Sequence, residues 1–128
     1  MFIKQRFDEF LGFEYKRDNN TLEVRIEIKD LYINSAGVIH GGIISTLADV
    51  AMGNLIPTVS QGIQELVTVD LKISYLKPAK GEYLLAQARL MKNGRKLVFA
   101  ECQIYNDNKD LVAVAHGIFS RLNSTSTI

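Results

Sequence analysis

Residues 34–56 read NSAGVIHGGIISTLADVAMGNLI and change at Gly41 from a polar, glycine-containing loop into an apolar run. The run is rich in helix formers, and Pro57 follows it directly. Because the residue before a proline is pushed out of the helical conformation, the helix must end at or before Ile56. About four helical turns fit into this stretch. Apolar side chains occur on all sides of it, so we predict a central helix that is buried all round.

One carboxylate, that of Asp49, lies inside this apolar helix. Burying a charge costs free energy unless the charge is paired or used in chemistry. Asp49 is therefore the first candidate for a functional residue. The alternative is a structural acid that only accepts hydrogen bonds.

Strand patterns with a period of two lie on both sides of the central helix. Turn sequences at residues 18–20, 93–94 and 106–108 separate them. A short amphipathic helix is predicted at residues 3–10. The order indicates one α+β domain over residues 1–128, with an antiparallel sheet wrapped around one long central helix. The predicted strands cover residues 12–17, 22–29, 67–75, 82–92, 95–105 and 111–120.

Composition excludes several classes of protein. Fifteen basic and fourteen acidic residues give a net charge of +1, which offers no argument for nucleic-acid binding. The single cysteine, Cys102, fits a reducing compartment, and its position in a strand predicts that it belongs to the core. We expect a cytoplasmic protein with no membrane partner, because no apolar run is long enough to span a bilayer. One helix covers only one face of the sheet, so a homo-oligomer is expected.

Four elements of sequence together carry a resemblance to a known family. They are Asn34, the motif His40-Gly41-Gly42, Asp49 in LADVAMG, and residues 68–79, TVDLKISYLKPA. The combination resembles the hotdog-fold acyl-CoA thioesterases of the phenylacetate-degradation type. The similarity extends over residues 30–120 in the order of elements as well as in the motifs.

The resemblance implies a catalytic role for each matching residue. Asp49 would be the catalytic carboxylate, and the Gly41 amide would bind the thioester oxygen. Asn34 and His40 would help to place the reacting groups, and Thr68 stands where relatives carry a serine or threonine near the carboxylate. The family also implies a dimer with a continuous sheet, often paired again into a tetramer. Gly42, Leu47 and Val50 are further candidates for contact with the substrate.

The chemistry can be followed from the residues alone. A backbone N–H at a helix N-terminus is a fixed donor for the negative charge that develops on a thioester oxygen. A carboxylate can activate water as a general base or attack directly as a nucleophile, and the sequence leaves both open. A leaving thiol with a pKa of about 8.5 departs as a thiolate with little help. We expect neither a metal nor a cofactor, since two histidines and one cysteine far apart do not form a ligand set.

Spacing also bears on how the site is built. Gly41 and Asp49 are eight residues apart in one helix, which is about 12 Å along its axis. Both cannot reach one carbonyl carbon from the same helix. We therefore predict a site at a dimer interface, with the helix start from one subunit and the carboxylate from the other.

Several of these residues also have purely structural interpretations. His40 alone fits a helix cap or loop residue, and Asn34 alone fits an ordinary turn. His116 is predicted to be a strand residue without chemistry. A basic region in the second half of the chain could bind the phosphates of coenzyme A, with Arg95 and Lys96 as the favoured contacts, or could be a solvated surface. Its members are Lys72, Lys77, Lys80, Arg89, Lys92, Arg95 and Lys96.

The function predicted from the sequence is hydrolysis of an acyl-CoA to a free acid and CoA. Aromatic and medium-length acyl groups would both fit an apolar pocket. The first alternative is a non-catalytic acyl-CoA sensor on the same fold. A hotdog dehydratase is a weaker alternative, because it would pair a histidine with an acid, whereas His40 is joined here to two glycines.

Overall fold

The computed structural model describes residues 6–57 and 66–122, and two helices and six strands lie within them. The predicted order of elements is confirmed. The N-terminal helix was predicted from residue 3, and residues 3–5 lie outside the described part. A short 3-10 turn, Asp30–Tyr32, is the one added helical element among the described residues. The elements are α1 Arg6–Leu11, β1 Glu14–Asp18, β2 Thr21–Glu27, α2 Gly41–Gly53, β3 Leu66–Tyr75, β4 Tyr83–Asn93, β5 Leu97–Asn106 and β6 Leu111–Arg121.

The six strands form one sheet in the order β1-β2-β4-β5-β6-β3, and every neighbouring pair is antiparallel. Most pairs are hairpins between strands that follow each other in sequence. The exceptions are β2 with β4, and β3 with β6, which places β3 at an edge of the sheet. The predicted α+β class, with an antiparallel sheet around one long helix, is confirmed.

Helix α2 is buried on one side only, which corrects the prediction of a helix buried all round. Five of its side chains and one that follows its end, mostly spaced three and four residues apart, face the sheet, as expected of an amphipathic helix. Asp49 and Val50 lie on the opposite, half-buried face. The apolar character of that second face therefore does not come from packing within one chain. The sheet-facing residues are Ile44, Leu47, Ala48, Ala51, Met52 and Leu55.

Both edge strands of the sheet reach α2. From β1, the Arg17 guanidinium donates to the carbonyl oxygens of Asn54 and Leu55, at 2.8 and 3.0 Å, just past the end of the helix. From β3, the Tyr75 hydroxyl donates to the carbonyl oxygen of Gly41 at 3.0 Å, at the start of the helix. A cation satisfies carbonyl groups at a helix C-terminus and interacts favourably with its dipole. The sheet is thus curled around the helix and fixed at both helix ends.

Candidate active site

The carboxylate of Asp49 lies on the half-buried face of α2, and the Thr68 hydroxyl donates a 2.6 Å hydrogen bond to its Oδ1. The predicted proximity of the two residues is therefore confirmed. A hydrogen bond to a carboxylate of this length is a strong one. It orients the carboxylate and leaves Oδ2 free of protein donors within the described residues.

Thr68 reaches Asp49 because of a β-bulge that the strand pattern did not predict. Strict alternation along β3 would have put Thr68 on the same face as Asp70 and Lys72. The pairing with β6 shifts register between Thr68 and Asp70, so that Val69 is an extra residue in the ladder. Such a bulge reorients the side chains that precede it. Thr68 consequently lies opposite the buried Phe119, on the helix side of the sheet.

The start of α2 supplies an unused backbone donor. Among the described residues, no acceptor receives the N–H of Gly41. The next amide, Gly42 N–H, donates to Nδ1 of His40 at 2.8 Å, which makes His40 the N-cap. Because Nδ1 accepts this bond, the neutral His40 ring carries its proton on Nε2. A Cβ on Gly42 would come within 3.0 Å of Nδ1, so glycine leaves room for the cap.

This arrangement separates the roles predicted for the His-Gly-Gly motif. The Gly41 amide has no acceptor among the described residues, and its role as oxyanion donor stays a prediction. The Gly42 amide is used by the cap, so direct substrate contact through that amide is not supported. His40 has the structural role of a cap. Its second predicted role, in placing the reacting groups, stays a prediction, and the Nε2–H group is the donor that could perform it.

Asn34 organises the loop that leads into α2. Its Oδ1 accepts from the amides of Ala36 and Val38, at 2.9 and 3.2 Å, which also fixes which side-chain atom is oxygen. Gly37 completes the turn at φ +79°, a conformation that favours glycine. The Asn34 Nδ2 group has no acceptor among the described residues. One end of the amide is therefore structural, and the other is free to donate.

The Lys-Pro-Ala motif positions the same loop. The carbonyl of Ala79 accepts from the Ile39 amide at 2.9 Å, and Ala79 is buried. One residue further on, the His40 amide donates to the Tyr32 carbonyl at 2.8 Å. These two bonds fix the backbone immediately before the Gly41 amide. The motif thus acts on the site through the loop and not by direct contact.

Tyr75 is a site residue that the sequence reasoning missed. Besides its hydrogen bond to the Gly41 carbonyl, its ring lies 3.4 Å from the position that a Cβ on Gly41 would occupy. Leu71, Ile73 and Tyr75 alternate with polar residues along β3, and all three lie opposite buried residues of β6, on the helix side of the sheet. What the pattern could not indicate was that β3 ends level with the start of α2.

The structure divides the candidate residues into two groups. The first group, with Asp49 and Thr68, lies at the start of β3, and the second, with Gly41 and Tyr75, lies at its end. Seven residues of strand separate Thr68 from Tyr75, or roughly 20 Å at the rise of a β-strand. The two groups are therefore far apart in one chain. The separation of about 12 Å between Gly41 and Asp49 along the helix leads to the same conclusion.

The predicted basic region is not one surface. Arg89 is paired with Glu101 across neighbouring strands, and Lys77 is paired with Asp110 at 3.5 Å. Arg95 and Lys96 are exposed at the tip of the β4–β5 turn, and neither has an ion pair among the described residues. Eleven residues of β4 separate that turn from the end where Lys77 lies. The turn is therefore separate from Lys77, and its two exposed cations stay the favoured candidates for phosphate contact.

Other predicted residues fall into the core or onto the outer face. Leu47 has no exposed surface and packs toward the sheet, so of the two predicted helix contacts only Val50 is accessible. Cys102 is 1 % exposed, and burial raises the pKa of its thiol to about 12. His116 lies on the outer face of the sheet, with Nε2 3.9 Å from Glu101. The core assignment of Cys102 is confirmed.

Two findings concern ligands and membranes. Over residues 6–57 and 66–122, no three histidine, cysteine or acidic side chains come together in a way that could hold a metal ion. Neither helix of the described chain has the length and apolar character needed to cross a membrane.

Known proteins share this sequence and this fold. The sequence pattern of the thioesterase superfamily matches residues 36–113. The medium/long-chain acyl-CoA thioesterase YigI of Escherichia coli K12 is 26% identical over 125 residues, covering 85% of this chain and 81% of that protein. A Bacillus halodurans protein crystallised with CoA has a TM-score of 0.83 at 33% identity, covering 94% of this chain and 81% of that chain.

A second structure bears on the predicted type of thioesterase. The PaaI protein of the Escherichia coli phenylacetic acid degradation operon has a TM-score of 0.80 at 22% identity, covering 93% of this chain and 86% of that one. This likeness concerns the fold, whereas the superfamily match covers more than half of the chain. The chain therefore belongs to the thioesterase superfamily, a family of thioester hydrolases, and has the hotdog fold that its sequence predicted.

Proposed function

We propose that this protein hydrolyses acyl-CoA thioesters of apolar acyl groups, with Asp49 as the catalytic carboxylate. The observation that carries the proposal is the Asp49 carboxylate, which lies on an accessible helix face and is oriented by Thr68 through Oδ1. The free N–H of Gly41, at the positive end of the α2 dipole, is the matching oxyanion donor. The names of the Escherichia coli relative and of the CoA-containing Bacillus structure support the same class of substrate.

The reaction needs little beyond these groups. An oxygen bonds to the thioester carbon, either from a water deprotonated by Asp49 or from the Asp49 carboxylate itself. The carbonyl oxygen gains negative charge and accepts from the Gly41 N–H. The C–S bond then breaks and CoA leaves as a thiolate, which is stable enough to need no strong acid. In the general-base route, the proton held by Asp49 then passes to solvent. In the nucleophilic route, water hydrolyses the acyl–Asp49 anhydride, and both routes restore the carboxylate.

The site would be completed by a second copy of the chain that pairs with the edge of the sheet. Strand β3 is ten residues long and pairs with β6 on one side only, and Val67 and Val69 expose 43% and 59% of their surface on this edge strand. A long, apolar edge of this kind favours pairing with another strand. Antiparallel pairing about a two-fold axis brings the Thr68 end of one β3 next to the Tyr75 end of the other. The two separated groups of site residues would then face each other.

Charge and face restrict the register of this pairing. Directly opposed residues of antiparallel strands share a face of the sheet. A two-fold axis through Leu71 places Asp70 opposite the partner's Lys72, and symmetry gives this favourable pair of charges twice. A two-fold axis through Lys72 instead places the ammonium groups of the two copies opposite each other, which is unfavourable. We therefore favour the Leu71 register. The half-buried face of α2 with Asp49 and Val50 would be covered by the same association.

Three shallow concave surfaces of the single chain are consistent with an incomplete site. They are lined by residues such as Gln87, Tyr83 and Phe99, on the face of the sheet opposite to α2. None of these three includes Asp49 or Gly41. The accessible side of Asp49 thus lacks the enclosure that a small-molecule site normally has.

The direct test is thiol release from a panel of acyl-CoAs by the purified protein and by the Asp49→Asn variant. We expect hydrolysis of aromatic or medium-chain acyl-CoAs, and a loss of about two to four orders of magnitude in the variant. Thr46→Val, a matched change on the same helix face, should leave activity near normal. Tight acyl-CoA binding without thiol release would instead identify the non-catalytic sensor. Loss of water from a 3-hydroxyacyl-CoA would identify the dehydratase.

The shared site is tested by mixing two variants that are each nearly inactive, Asp49→Asn and Asn34→Asp. In a mixed dimer one site receives both changes and the other receives neither. Unbiased exchange makes about half of the dimers mixed, which should restore about a quarter of the wild-type activity. If mass measurements detect mixed dimers and activity stays at the level of the single variants, the shared site is wrong.

A further inference from the structure

Helix α1 leads directly into β1, the strand whose Arg17 reaches the end of α2, and a hydrogen bond holds one acid of α1 in place. The Tyr15 hydroxyl in β1 donates to Oδ2 of Asp8 at 3.4 Å, and Asp8 is half-buried. Leu11, at the end of α1, is 3% exposed and anchors the helix in the core. The Phe13 ring packs edge-on against Tyr15, with 6.5 Å between the ring centroids. The position of Asp8 is therefore set by the core and by the first strand.

Strand β1 brings Asp8 level with Asp49. Arg17 reaches the C-terminal end of α2, and Tyr15 precedes Arg17 by two residues, or roughly 7 Å along the strand. Because β3 runs opposite to α2 and five antiparallel pairings lead from β3 to β1, β1 runs in the direction of the helix, so Tyr15 and the Asp8 that it holds lie about four helical residues before its end.

Burial is the main cause that raises the pKa of Asp8, the hydrogen bond from Tyr15 lowers it, and the charge of Asp49 raises it further. Asp49 also contacts Thr68 of β3, the opposite edge strand. The carboxylate of Asp49 thus lies in the gap between the two edges of the curled sheet. One side of that gap is β3, and the other is α1 with Tyr15.

The α1 side of the gap is apolar as well as acidic. Phe7 and Phe10 are one helical turn apart and expose 59% and 64% of their surface. Large exposed aromatic groups on the helix that carries Asp8 are suited to contact an apolar ligand. The unpaired cations Arg95 and Lys96 lie elsewhere, on the β4–β5 turn. The acyl group of a substrate is therefore expected to contact α1, and its phosphates are expected to contact the β4–β5 turn.

We propose that α1 forms the acyl-binding wall of the site, and that Asp8 selects neutral acyl groups against those that carry a second carboxylate. This inference rests on the proposed hydrolysis of acyl-CoA. A terminal carboxylate brought to this wall would meet the negative charges of both Asp8 and Asp49. Repulsion of this kind gives selectivity without weakening the binding of a neutral chain.

The test compares hexanoyl-CoA with adipoyl-CoA, which have acyl chains of equal length and differ by one terminal carboxylate. The wild-type protein should prefer hexanoyl-CoA in kcat/KM. The Asp8→Asn variant should reduce that preference about fivefold or more, mainly by improving the adipoyl reaction, because one charge at close range is removed. High salt should also shrink the wild-type preference, since it screens exposed charges.

A matched control removes a charge from the same segment but from the other side of the strand. Glu14 lies in β1 and approaches Arg25 at 3.9 Å, and the Glu14→Gln variant should leave the preference unchanged. The Phe10→Ala variant should raise KM for hexanoyl-CoA more than for acetyl-CoA, whose chain is too short to use the wall. Equal effects on both chain lengths would remove Phe10 from the acyl wall.

The outcomes separate this inference from the proposed function. Equal rates of hexanoyl-CoA and adipoyl-CoA hydrolysis by the wild-type protein would overturn the selectivity and leave the hydrolase standing. An Asp8→Asn variant that changes both rates by the same factor would also overturn it, because Asp8 would then act on Asp49 alone. If no acyl-CoA is hydrolysed, the proposed function fails. In that event, equal affinities for the two thioesters, measured by calorimetry, would overturn the acyl wall as well.

Discussion

The hydroxyl of Thr68 lies 2.6 Å from Oδ1 of Asp49, and this bond joins the edge strand of the sheet to the middle of the central helix. A hydrogen bond to a charged group contributes roughly 1.5–3 kcal/mol. Since Thr68 is exposed in the single chain, the lower end of that range is appropriate. In the proposed reaction, this bond would hold one carboxylate oxygen still while the other acts.

Removing this hydroxyl should therefore lower turnover without unfolding the protein. We expect the Thr68→Val variant, which suits a β-strand, to lose on the order of tenfold in kcat. The Thr68→Ser variant keeps the donor and should retain most of the activity. The measurement is steady-state thiol release together with a thermal melt. A Val variant as active as the Ser variant would show that the bond does not matter to catalysis.

Two substitutions at Asn34 can distinguish its structural and chemical roles. The Asn34→Asp variant keeps the oxygen that accepts from Ala36 and Val38 and loses the Nδ2 donor. It should melt near the wild-type temperature and lose most of its activity. The Asn34→Ala variant loses the turn as well, and should melt several degrees lower. An active Asp variant would limit Asn34 to loop structure.

The basic turn should affect only substrates that carry the nucleotide. Replacing Arg95 and Lys96 together by alanine should raise KM for acyl-CoA on the order of tenfold, which corresponds to about 1.4 kcal/mol of binding. The rate with a short thioester that lacks the nucleotide should hardly change. Lys16→Ala, an exposed cation on β1, is the control. Equal losses on both substrates would count against phosphate contact.

The stability of the protein should depend on pH through Asp8. Because the pKa of Asp8 is raised in the folded state, the stability linked to it is fully present below the ordinary value of about 3.9 and is lost as pH rises through the raised value. The Asp8→Asn variant should therefore raise the melting temperature near pH 7 more than near pH 3. Glu14→Gln is the control. A variant with the same effect at both pH values would contradict this linkage.

Cys102 should be unreactive in the native protein. Its thiol is 1% exposed, and burial raises its pKa to about 12, so almost no thiolate is present at pH 8. A chromogenic disulfide reagent should detect no thiol in the folded protein and one per chain after denaturation. Rapid reaction of the native protein would mean that β5 opens readily.

The sequence was informative about elements and less so about how they meet. Hydrophobic period and turn residues predicted all six strands and both helices. They could not predict that Val69 is an extra residue, because a bulge is decided by pairing with β6. The family resemblance nevertheless linked Thr68 to Asp49, which the strand pattern alone would have placed on opposite sides of the sheet.

The other differences have the same origin. An apolar helix face predicts burial but does not say whether the same chain or a second copy covers it, as Val50 illustrates. A basic sequence region predicts charge, but the folded sheet distributes Lys77 and Arg95 to opposite ends. Tyr75 was missed because its role depends on where β3 ends relative to α2. Each of these facts depends on tertiary contacts that a periodic pattern does not contain.

The pairing of β3 with β6 has a consequence for the order in which the strands can pair while the protein is being synthesised. β3 is synthesised about forty residues before the strand that receives it, so the Thr68 end of the site has no scaffold until β6 has emerged. The apolar edge of β3 is exposed throughout that interval and is then a site for misassociation between nascent chains. Thr68 therefore cannot be held against Asp49 in this geometry until β6 has paired with β3. A chain truncated before β6 should be insoluble and not merely inactive.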